Sequence, residues 1–116
     1  MARYTCSLTV ALANQDIHAS LIQLFQSCKF EVIYDTTDYI MGREVPGDVP
    51  FAKLVTVEGL IEKSRGVVAG QAQVNLVIKN EELPLQANNH CRQMFDQLQQ
   101  AIQNHADWKV LNIVAY

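Results

Sequence analysis

Alternation of period two opens the chain. Tyr4, Cys6, Leu8, Val10 and Leu12 are interleaved with Arg3, Thr5, Ser7, Thr9 and Ala11, which marks a strand with one buried face. The period then changes to that of a helix: Ile17, Leu21, Leu24, Phe25 and Cys28 share one side behind Asn14 and Asp16. A helix is predicted from about Gln15 to Lys29, with Asn14 as its N-cap and Asp16 in the first turn, where the helix dipole favours a carboxylate. From Phe30 to Val45 the residues Val32, Ile33, Tyr34, Tyr39, Ile40 and Met41 favour strand, but Asp35-Thr36-Thr37-Asp38 interrupts them. That pattern predicts a bent or divided strand.

Val45-Pro46-Gly47-Asp48-Val49-Pro50 is turn chemistry, and Phe51 to Lys63 reads as the next strand. Ser64-Arg65-Gly66 then reads as a tight connection into a long strand with Val68, Gly70, Ala72, Val74, Leu76 and Ile78 on one face. Beyond it, Pro84 ends the pairing and Asn88 or Asn89 caps a second helix whose Cys91, Met94, Phe95, Leu98, Ile102 and His105 lie on one side. Trp108 to Tyr116 closes the chain as a strand. The order β-α-β-β-β-α-β predicts an α+β two-layer sandwich, an antiparallel-rich sheet with both helices on one face and the other face open.

With 116 residues the chain is read as one domain, 1–116. Nine Lys and Arg against twelve Asp and Glu leave a net charge of -3 without a basic cluster, which argues against binding nucleic acid. No apolar run reaches the length of a membrane span, and Thr5, Ser7 and Thr9 interrupt the apolar positions that an export segment needs. Cys6, Cys28 and Cys91 are an odd number without a C-x-x-C spacing. They argue against a disulfide framework or a zinc site and for a reducing, cytoplasmic setting.

Candidate chemistry is sparse. No G-x-G-x-x-G, Walker loop or G-x-S-x-G occurs. His90 and Cys91 are sequence neighbours, so on a helix their side chains diverge; His90 reads as a polar surface group and Cys91 as core. His18 and His105 sit near helix ends. Glu81-Glu82, like Asp35 and Asp38, read as solvated loop carboxylates, which lack the burial that general acid or base work needs. The expectation is no enzyme, no metal and no cofactor.

One surface feature stands out. Neither Tyr4 to Gln15 nor Gly66 to Ile78 contains a charged residue, so two strands present Thr5, Ser7, Thr9, Gln71, Gln73 and Asn75 as neutral polar groups. Open sheet faces and edges are normally guarded by charge, and a neutral face is one that a protein partner or a second copy can cover without desolvating ions. A second candidate is a cleft between sheet and helices bordered by Tyr34, Tyr39, Met41, Arg43 and Trp108, suited to a small amphipathic acid.

The runs VPFAKLVTVEGLIEKS and VIKNEELPLQANNHCRQMFD resemble those of small cyanobacterial proteins of unassigned function. The β-α-β-β-β-α core is similar in architecture to BamC-type domains and, in reduced form, to helix-grip proteins. What the resemblance implies is a cytoplasmic accessory protein, with no reaction attached. The expected function is therefore a non-enzymatic binding or assembly module acting through the neutral sheet face and an edge strand. The alternative is a carrier of a small amphipathic ligand.

Overall fold

The structure is a computed structural model and describes residues 1–12, 16–47, 49–62, 70–83, 89–105 and 108–115. Strand β1 (Ala2–Leu12) is followed by helix α1 (Ile17–Ser27), β2 (Phe30–Asp35), β3 (Tyr39–Glu44), β4 (Thr56–Glu62), β5 (Gln71–Asn80), helix α2 (His90–Gln103) and β6 (Trp108–Ala115). The strands form one sheet in the order β2-β3-β4-β5-β1-β6, every pairing antiparallel. Helix α1 carries the chain from β1 to the far edge. The meander β2 to β5 then returns to β1, and α2 places β6 on the other side of β1.

The predicted α+β sandwich and its element order hold, with the second strand divided where Asp35 to Asp38 interrupts it. There the Thr36 N–H donates to the Tyr39 carbonyl at 2.7 Å, closing a hairpin between β2 and β3. The segment from Phe51 begins as a short 3-10 turn, Phe51–Lys53, and pairs only from Thr56. Helix α1 starts at Ile17 because the Asp16 carboxylate accepts the Ala19 N–H at 3.0 Å and so acts as the N-cap. Asn14, Ser64-Arg65-Gly66, Val68, Pro84, Asn88 and Tyr116 lie outside the described residues. Asn89 caps α2 by accepting the Arg92 N–H. That helix ends at Gln103, so His105 lies just beyond it and stacks on Trp108, ring centroids 4.7 Å apart.

Period-two alternation divides the sheet into two faces. Cys6, Leu8 and Val10 of β1, Val74, Leu76 and Ile78 of β5, and Val57 and Ile61 of β4 form the core with Leu21, Leu24 and Phe25 of α1 and Met94, Phe95, Leu98 and Ile102 of α2. Each large aliphatic or aromatic side chain withdrawn from water here contributes about 1.5–3 kcal/mol. Leu21 and Phe25 of α1 press against β4 at Gly59. A Cβ there would lie 2.9 Å from Leu21 Cδ2 and 3.2 Å from Phe25 Cζ. Gly59→Val is therefore expected to cost about 2–3 kcal/mol through overpacking, read as a lower midpoint in urea; an unchanged midpoint would show that α1 is not seated on β4. Among the described residues no helix is long and apolar enough to cross a membrane.

Candidate interaction face of the sheet

The six neutral residues singled out in the sequence come together on the face away from the helices. Ser7 stands opposite Asn75 and Thr9 opposite Gln73, while Thr5 and Gln71 extend the same two rows. The face is not neutral throughout, because β4 adds Glu58 and Glu62 beside β5, with Lys79 and Arg3 at one end. Five of these polar groups bond within the face. The Ser7 hydroxyl donates to Asn75 Oδ1 at 2.6 Å, and Asn75 Nδ2 donates to Glu62 at 3.4 Å. Lys79 pairs with Glu58 at 3.1 Å, and Tyr39 also bonds Glu58. Burial and then the Glu58 carboxylate raise the Tyr39 phenol above its ordinary range.

Four of the five proposed cleft residues lie on this same face rather than between sheet and helices. Tyr34 is opposite Met41, Tyr39 opposite Leu60, and Arg43 opposite Thr56. Tyr34, Tyr39, Met41 and Leu60 thus form an apolar patch over β2, β3 and β4. The two tyrosine rings meet edge to face at 6.0 Å, and Tyr34 and Leu60 remain 57% and 43% exposed. Trp108 is not part of it. It begins β6, four strands from β3, and is buried on the helix side. The cleft drawn from all five residues is therefore not assembled, because alternation sends the β3 side chains outward while Trp108 points into the core. A groove of about 310 Å3 does flank Arg43, lined also by Phe51, Ala52, Leu54 and Glu81.

Both edge strands are interrupted. Ile33 is an extra residue in β2 and Leu111 an extra residue in β6, each opposite a shift in register. Such bulges twist an edge away from further pairing.

On the helix side, the structure corrects the reading of His90 and Glu82 as solvated groups. Glu82 is 6% exposed. Its carboxylate accepts the Asn80 amide at 2.6 Å, the Cys91 N–H at 2.8 Å and the His90 N–H at 3.0 Å. His90 Nε2 in turn lies 2.8 and 2.9 Å from the two oxygens of Glu44, which is 2% exposed and also accepts the Val55 N–H. The network joins the end of β3, the start of β4, the end of β5 and the first turn of α2. Alternation groups Glu44 with Ile40 and Gly42, but it does not by itself show that this set faces the helices.

The arrangement offers little to a nucleophilic reaction. All three thiols are free and buried. Burial pushes Cys6 up to about 11, and burial followed by Glu82 and Glu44 pushes Cys91 up to about 12. Cys28 is also raised by burial, against a lowering bond from Ser27. Such thiols hold their protons at neutral pH. Among the described residues no three His, Cys, Asp or Glu side chains are grouped so as to hold a metal ion. No family model matches the chain, and no curated protein matches it.

Proposed function

We propose that the protein is a non-enzymatic binding or assembly module that works through the open face of its sheet. The observation that carries this reading is the apolar patch of Tyr34, Tyr39, Met41 and Leu60 beside polar groups of which Ser7, Asn75 and Glu62 bond in a row and Lys79 pairs with Glu58. Covering such a face removes apolar area from water and strands few donors or charges. The bulged edges make strand addition the weaker route, so the face rather than the edge carries the contact. Three free thiols support a reducing, cytoplasmic setting.

The test is Leu60→Lys. The new ammonium would stand between Glu58 and Glu62 on the same face of β4, so the fold is expected to keep its melting temperature while the centre of the contact gains an ion. In native mass spectra of protein gently purified from its source, assemblies of the wild type are expected to disappear in the variant. Assemblies indifferent to Leu60→Lys would overturn the reading.

The groove beside Arg43 and Phe51 supports a second reading, a carrier of a small amphipathic ligand. The same spectra test it. A small extra mass on the monomer, lost in Arg43→Ala, is its expected result.

A further inference from the structure

We infer that the groove beside Arg43 is a site for a free α-amino acid with an apolar side chain, its carboxylate on Arg43, its ammonium on Glu81 and its side chain against Leu54 and Phe51. This rests on the carrier reading given above and goes further by naming the ligand class and the groups that hold it. The groove, of about 310 Å3, is at the small end of the range for ligand clefts. It opens at the end of the sheet where β4 has not yet begun. Arg43 of β3 is opposite Thr56, and Thr56 is opposite Lys79 of β5. Before Thr56 the chain passes through the Phe51–Lys53 turn and the half-buried Leu54, and after Lys79 it leaves β5 for Glu81. Arg43 and Glu81 thus flank Leu54 from strands two spacings apart, roughly 10 Å. Phe51, 79% exposed, supplies an aromatic wall.

Charge sets the ligand class. Both Arg43 and Glu81 are exposed, and neither side chain has a hydrogen bond or ion pair with another described residue, Glu31 opposite Arg43 included. A simple anion on Arg43 would face the Glu81 carboxylate, and a simple cation on Glu81 would face the guanidinium. A zwitterion answers both charges, and an apolar side chain between them covers Leu54, Ala52 and the Phe51 ring. The groove is also held in shape from within. Arg43 precedes Glu44, Leu54 precedes Val55 and Glu81 precedes Glu82, so three of its walls are each one residue from the buried network of Glu44, His90 and Glu82. The Asn80 amide donates to the Lys53 carbonyl at 3.0 Å and ties the turn to the end of β5. Walls fixed before a ligand arrives lower the ordering cost of binding.

The experiment titrates the purified chain with L-phenylalanine and L-leucine and follows backbone amide shifts by two-dimensional NMR. Saturable shifts are expected at Arg43, Leu54 and Glu81, with a Kd below about 1 mM. Phenylpropionate lacks the ammonium and phenylethylamine lacks the carboxylate, so each is expected to bind at least about tenfold more weakly than L-phenylalanine. Arg43→Ala and Glu81→Gln change exposed side chains and are expected to keep the melting temperature while weakening L-phenylalanine about tenfold each. Saturable shifts from neither amino acid by about 10 mM would overturn the inference. So would binding unchanged in Glu81→Gln, or phenylpropionate equal to L-phenylalanine; the latter result leaves Arg43 holding an anion and the carrier reading standing. If none of the four compounds binds while protein from its source carries a small mass lost in Arg43→Ala, the inference fails and the carrier reading stands; without that mass, both fail.

Discussion

Replacing Glu82 with alanine is expected to lower stability by about 3 kcal/mol at neutral pH. The carboxylate accepts the N–H groups of His90 and Cys91, the first two of α2, and the amide of Asn80. Four N–H groups at the start of a helix lack partners within it, and the dipole there favours an anion. Alanine leaves two of those donors in a site that is closed to water. Glu82→Gln keeps the shape but must turn an NH2 group toward one donor, and about 1–2 kcal/mol is the expected loss. Burial alone would raise the Glu82 carboxyl; the Asn80 amide, the two backbone N–H groups and the His90 charge outweigh it, so it sits below its ordinary 4.5. The sign follows. A lowered carboxylate contributes stability that is complete above about pH 4.5 and disappears as pH falls through the folded value. Urea unfolding between pH 7 and pH 3 should show a smaller acid loss in Glu82→Gln than in wild type. Parallel pH profiles would mean that Glu82 is not the group behind the acid limb.

Legibility in the sequence follows the range of the interaction. Tyr4 to Leu12 alternates because one strand face is buried along its whole length, so β1 and the face holding Thr5, Ser7 and Thr9 could be read locally. Asp35 to Asp38 announced a bend or division of the second strand, because turn chemistry is also local. The aromatic cluster was recognised by residue type, but its face was misassigned: Tyr39, Met41 and Arg43 alternate with Ile40, Gly42 and Glu44, and only the pairing of β3 with β4 shows which set faces the helices. The grouping of Trp108 with them failed because strand order is a long-range property. Glu82 was hidden because a capping group is sought next to the helix, whereas this one reaches back from a loop eight residues before His90. Glu44 and His90 are 46 positions apart, and no local pattern couples them.

That pair supplies the second large effect. Glu44 is held by His90 Nε2 and the Val55 N–H and is almost wholly removed from water. His90→Leu would leave the buried carboxyl group with a single donor, and about 3 kcal/mol is the expected cost. Glu44→Leu strands the imidazole, which is 15% exposed and can turn partly to solvent, so about 2 kcal/mol is expected. The double variant Glu44→Leu with His90→Leu should cost well below the sum of the two, because two apolar groups of similar volume leave nothing unpaired. A thermodynamic cycle from urea unfolding at pH 7 measures the difference, and strict additivity would show that the two side chains are not coupled.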